Sequence, residues 1–130
     1  MTLKLIPEQY NIIWAASWIS LYPCIEMCKR KRYDFAFFIG GVFLTSINYW
    51  YYPLDGWRRD LDIWMVRTGF VYMGYKSYLN RNYMWFLYGV PAASSYFIGK
   101  HFYQKDKLWT YTYFHMGVHL LGNMANFSSL

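Results

Sequence analysis

Charge is sparse in this sequence. Only 15% of its residues are charged, and Asp and Glu together number 7, against about 25% charged residues in an average soluble domain. So sparse a complement leaves too little to cover an ordinary water-exposed globule. Cysteine is scarcer still. Cys24 and Cys28 are the only two, which excludes a disulfide scaffold. A bridge within one helical turn would constrain little, so the pair is read as packed rather than bonded, with lipidation near the helix end as the alternative. No internal repeat or low-complexity tract interrupts the chain, and it is read as one domain over residues 1–130. The first apolar run leads into a basic stop without a small-residue cleavage site, unlike a secretory leader.

Aromatic residues are what is abundant. They make up 25% of the chain, as 15 Tyr, 10 Phe and 7 Trp, within a hydrophobic fraction of 56%. That content excludes intrinsic disorder. The mean hydropathy of +0.02 understates the apolar character, because it scores Tyr and Trp as polar although both sit readily at bilayer interfaces.

Five apolar runs stand out, over 11–28, 35–52, 61–79, 83–99 and 108–127. Each is close to the roughly 18–20 residues that cross a bilayer core as a helix. Arg67 and Lys76 lie inside the third run, and Pro91 and the Ala92-Ala93-Ser94-Ser95 stretch inside the fourth. The pattern predicts an all-α integral membrane bundle of five transmembrane helices, polytopic, with short loops. The termini then face opposite sides, with Arg67 directed at a protein partner such as Asp62 or Asp60. Basic residues are shared equally between the two sides, and only the Lys29-Arg30-Lys31-Arg32 cluster favours one side as cytoplasmic. The net charge of +6 raises the question of nucleic acid. The basic clusters lie where helices would leave the membrane, so the lipid bilayer is the expected partner and nucleic acid is not.

Polar groups within the runs are the candidate functional residues. His115, His119, Asn123 and Asn126 fall at spacings that share one face of the last helix. At about 1.5 Å per residue, Ser46 and His115 lie roughly 9 and 11 Å below the same end of the bundle, with Asp62 near it. Ser46, Asp62 and the two histidines can therefore converge. Such a set has the chemistry of a zinc hydrolase, in which histidines hold the metal and the acid handles its water. The bland alternative is a structural polar seam of Ser46, Asp62, Arg67, His115, His119, Asn123 and Asn126, hydrogen-bonding helix to helix.

The run Ser46-Ile47-Asn48-Tyr49-Trp50, then Leu61-Asp62-Ile63, then His115-x-x-x-His119 resembles the pattern of the CREST superfamily of membrane hydrolases, which includes alkaline ceramidases and adiponectin receptors. The resemblance implies a zinc-dependent lipid amidohydrolase with Ser46 and Asp62 as catalytic residues and His115 and His119 as metal ligands. Trp50 stands where the family has its first zinc histidine, and five runs stand where the family has seven spans. The segment from Tyr49 to Asp62, with its Trp50 and Arg58-Arg59, is also similar to small membrane proteins of large DNA viruses. Indole does not ligate zinc, and no pair of runs shows transporter symmetry. The expected function is therefore a structural, non-enzymatic subunit without cofactor. Its place would be a large membrane-associated assembly, a virion inner membrane under its capsid or an organellar complex, with other subunits as partners. The zinc hydrolase is the alternative.

Overall fold

The computed structural model describes residues 4–130, which are helical throughout apart from short turns and contain no strand. Helix α1 spans Pro7–Ser17, and after one 3-10 turn at Trp18–Ser20, α2 spans Leu21–Lys29. Then follow α3 (Tyr33–Trp50), α4 (Trp57–Leu79), α5 (Tyr83–Gln104) and α6 (Leu108–Ser128). Pro7 opens α1 at a position where its missing N–H costs nothing, and the Ile6 N–H donates to Gln9 Oε1 at 3.0 Å. Pro23 explains the 3-10 turn: it cannot donate to the Ile19 carbonyl, and its ring would crowd that group in a continuous α-helix.

The turns after α2, α4 and α5 are built alike. Lys31, Arg81 and Asp106 have φ of 59°, 56° and 60°, and the following N–H reaches back to the carbonyl five residues earlier, from Arg32 to Met27, Asn82 to Ser77 and Lys107 to Phe102. This is a Schellman closure, with side-chain-bearing residues where glycine is least strained.

Two buried clusters define the ends of the bundle. At the turn end, Met27, Phe35, Ala36, Ile39, Met73, Trp85 and Ala125 meet. At the aromatic end, Leu5, Tyr10, Ile13 and Trp50 meet, flanked by Tyr49, Tyr103 and Tyr111. Helix α3 lies between α2 and α4, α5 runs along α6, and α1 bridges α3 and α6. Gly99 lets α5 and α6 approach: a Cβ there would stand 3.2 Å from Phe114 Cβ. Helices α4 and α5 touch little, because Trp85 is wedged between them, its ring within 3.2 Å of where Cβ atoms on Gly74 and Gly89 would sit.

The expected transmembrane bundle is corrected. Among the described residues, no helix is long and apolar enough to cross a membrane, which also overturns the integral-membrane location in a virion or organelle. The first run breaks into α-helices of 11 and 9 residues. Helix α3 has 18 residues but includes Asp34 and Asn48. Helix α4 begins at Trp57, so it carries Arg58, Arg59, Asp60 and Asp62 as well as Arg67 and Lys76. Helix α5 continues past Gly99 through Lys100 and His101, and α6 carries its histidine and asparagine column.

Candidate functional site

Helices α3 and α4 bring Ser46 and Asp62 together. Both are buried, and the Ser46 and Thr45 hydroxyls donate to Asp62 Oδ1 at 2.8 and 3.0 Å. Burial pushes the Asp62 carboxyl up to about 6, against the opposing pull of those two hydrogen bonds. No cation pairs with it among the described residues. Arg58 instead donates to the Asn48 and Tyr52 carbonyls at 3.1 and 2.8 Å, satisfying backbone acceptors at and just past the end of α3. Arg67 does not face a protein acid. It is exposed, with its guanidinium 5.9 Å from the Trp64 ring centre, so it lies outside the polar seam.

The histidines of α6 belong to a row of aromatic rings in tilted and edge-on contact. Trp50 lies 4.7 Å from His115 between ring centres, Tyr111 5.6 Å from His115, and His115 5.2 Å from His119. Burial holds the His119 imidazole down to about 4, and burial together with the neighbouring His119 holds His115 well below its usual value. Both rings are neutral at pH 7. Below them, Asn123 donates to the His119 carbonyl at 2.8 Å, and Asn126 to Asn123 Oδ1 at 3.2 Å. His119 Nε2 and Trp50 Nε1 are buried with no hydrogen-bond partner among the described residues. Burial also pushes the nearby Tyr49 hydroxyl up to about 12.

The seam is thus two pieces, a carboxylate with its hydroxyl donors and a column of histidines and asparagines on α6, with no hydrogen bond joining them among the described residues. The zinc set of the CREST resemblance does not fit. Among the described residues no three or more His, Cys, Asp or Glu side chains cluster as metal ligands, and the Trp50 ring covers His115 where a third ligand would be needed.

Several polar contacts carried no signal in the linear pattern. Tyr72 donates to Asp34 Oδ2 at 2.6 Å, holding that carboxyl below its usual range. Trp14 Nε1 donates to the Ile47 carbonyl at 3.1 Å. Arg32 donates to the Ser129 carbonyl and Asn82 to that of Ser128, so equivalent residues of two like turns together cap the end of α6.

The exterior is the other candidate feature. The accessible surface is 7734 Å², close to the roughly 7300 Å² of a compact folded monomer of this mass, so the bundle is not splayed open. Its mid-helix surface is nevertheless apolar. Phe37, Leu44, Trp64, Val71, Leu87, Phe97 and Leu120 are exposed, from 49% at Leu120 to 71% at Val71. Most exposed charges stand at helix ends and turns, as with Lys29, Arg30, Lys31, Arg81, Lys105 and Lys107. No protein-family model, curated protein or solved structure matches the chain.

Proposed function

We propose that the chain is a structural subunit of a large protein assembly, without catalytic duty, in which neighbouring subunits cover its apolar mid-helix surface. The observation that carries this reading is that surface itself: large aliphatic and aromatic side chains on α3, α4, α5 and α6 are exposed on a bundle of ordinary compactness. Monomeric proteins rarely leave wide contiguous apolar patches uncovered, and such patches mark places where other molecules bind. Aromatic side chains supply much of the energy at protein interfaces. The buried polar groups serve the bundle: Asp62 is held by Thr45 and Ser46, and the histidines by tilted and edge-on ring contacts. Nucleic acid has no part in the proposal, because most of the exposed basic residues sit at helix ends and turns rather than in a stripe along one helix face.

The test is the size of the particle that holds the chain in a non-denaturing extract of its natural source. A discrete particle of fixed subunit composition, disrupted by Val71→Asp or Phe37→Asp while the isolated variant keeps its helical content, is the expected result. A free 15.8 kDa chain in that extract would overturn the proposal.

A further inference from the structure

The turn end contains a cavity of about 290 Å³, walled by Arg32, Ser77, Asn80, Asn82 and the last residues of α6 over the ring of Phe35. Ser77 is only 1% exposed, and its hydroxyl has no hydrogen-bond partner among the described residues. Helical hydroxyls elsewhere in the bundle bond back one turn, Ser17 to the Ile13 carbonyl at 2.9 Å and Thr112 to that of Leu108 at 2.8 Å. Ser77 does not, and it borders the cavity instead. A buried hydroxyl left unpaired is unfavourable unless something in the cavity bonds it.

The lining is positively charged. Arg32 pairs with no carboxylate among the described residues, and no acidic side chain lines the space. The guanidinium is held in place 4.4 Å over the Phe35 ring, with one N–H on the Ser129 carbonyl, which leaves its other donors without an acceptor among the described residues. Asn82 is committed to the end of α6 through Ser128 and Ser129, whereas the Asn80 side chain, which lines the cavity, makes no hydrogen bond among the described residues. A fixed cation, a buried hydroxyl and an amide that converge without an acid suit an anion with several acceptor oxygens. The exposed Arg30, Lys31 and Arg81 flank the two turns and raise the local concentration of anions.

We propose that this cavity binds a phosphate group, free or as the terminal monoester of a small molecule, with Arg32 supplying the charge and Ser77 and Asn80 donating to its oxygens. The inference stands apart from the structural role proposed above.

Isothermal titration of the full chain with inorganic phosphate and with phenyl phosphate tests it. Saturable one-to-one binding is expected; tighter binding of phenyl phosphate assigns the site to a monoester, and equal or weaker binding assigns it to the free ion. Ser77→Ala removes a buried hydroxyl with no partner among the described residues, so its Tm without phosphate should match or exceed the parent's while its affinity falls about tenfold or more. Arg32→Gln should lose more, but it also uncaps α6, so Ser77→Ala decides. Absence of saturable binding by the folded parent, or undiminished affinity in Ser77→Ala, would overturn the proposal and leave water as the cavity's only content.

Discussion

Two carboxylates, one near each end of the bundle, are shifted in opposite directions. At the turn end, Asp34 accepts from Tyr72 and lies in the first turn of α3, and its pKa is lowered. At the aromatic end, Asp62 has two hydroxyl donors and still rises to about 6, because it is buried without a cation. The apolar cores differ in the same way. The turn end is filled by Met, Phe, Ile and Trp side chains and closed by three-residue turns. The aromatic end sets Trp50 and Tyr111 against two neutral histidines. The turn end therefore rests on close fit, with Asp34 adding a contribution that is lost only as pH falls below the ordinary carboxylate range, and the aromatic end makes stability depend on pH nearer neutrality.

The largest expected effect breaks the turn end. Trp85→Ala removes the wedge between α4 and α5, and a cavity of that size costs about 3–5 kcal/mol. Urea unfolding should show this loss to similar extents at pH 5 and pH 8, since no titrating group of the aromatic end touches Trp85.

Asp62→Asn acts at the other end and should stabilise. The folded pKa of about 6 lies above the ordinary 3.8, so the protein favours the protonated acid: that stabilisation is complete below 3.8 and is lost as pH rises through 6. The amide carries no charge and can still accept from Thr45 and Ser46. Above pH 7 it should be more stable than the parent by about 1–3 kcal/mol, and the difference should vanish below pH 4. Denaturant midpoints across that range check both arms.

His119 works in the opposite sense. Its folded pKa of about 4 lies below the ordinary 6.5, so its contribution is present above 6.5 and is lost as pH falls through 4. His119→Phe keeps a ring in the row and removes a buried nitrogen that has no partner. It should change stability by less than about 1 kcal/mol at pH 7 and make the acid-side loss shallower than in the parent.

The smallest effect belongs to the turns. Lys31→Gly and Arg81→Gly relieve a left-handed backbone at φ near 59° and 56°. Each should raise stability by roughly 0.5–1 kcal/mol, as left-handed positions do when glycine is installed. Thermal unfolding of the single and double variants measures it, and any departure from additivity reports coupling through the end of α6, which both turns cap.

How much of this was legible follows from which residues speak locally. The last four apolar runs each coincide with one helix and the first splits into α1 and α2, because runs of that length cannot be buried as loops. The membrane reading failed at the edges of those runs, where α4 starts four residues earlier and takes in Arg58, Arg59 and Asp60. Pro23 was visible, yet the 3-10 break it causes lies upstream, at Trp18–Ser20. Ser46 and Asp62 were placed at one end by simple rise per residue, while Thr45, one position away, was missed. Arg58 lies one turn before Asp62 in the chain, yet it donates to the Asn48 and Tyr52 carbonyls. Arg32 on Ser129 and Asn82 on Ser128 join residues far apart in the chain. Nothing in a lysine or an arginine marks it for a left-handed turn.

Hydroxyl-radical footprinting tests the central claim most directly, comparing Phe37, Trp64, Leu87 and Phe97 in the native particle with the same side chains in the isolated folded chain. If protein neighbours cover the apolar exterior, these positions should be strongly protected in the particle and reactive in isolation, while exposed Lys105 and Asp106 need not change. Equal reactivity in both states, or protection that disappears when lipid is removed with the particle still intact, would contradict the account.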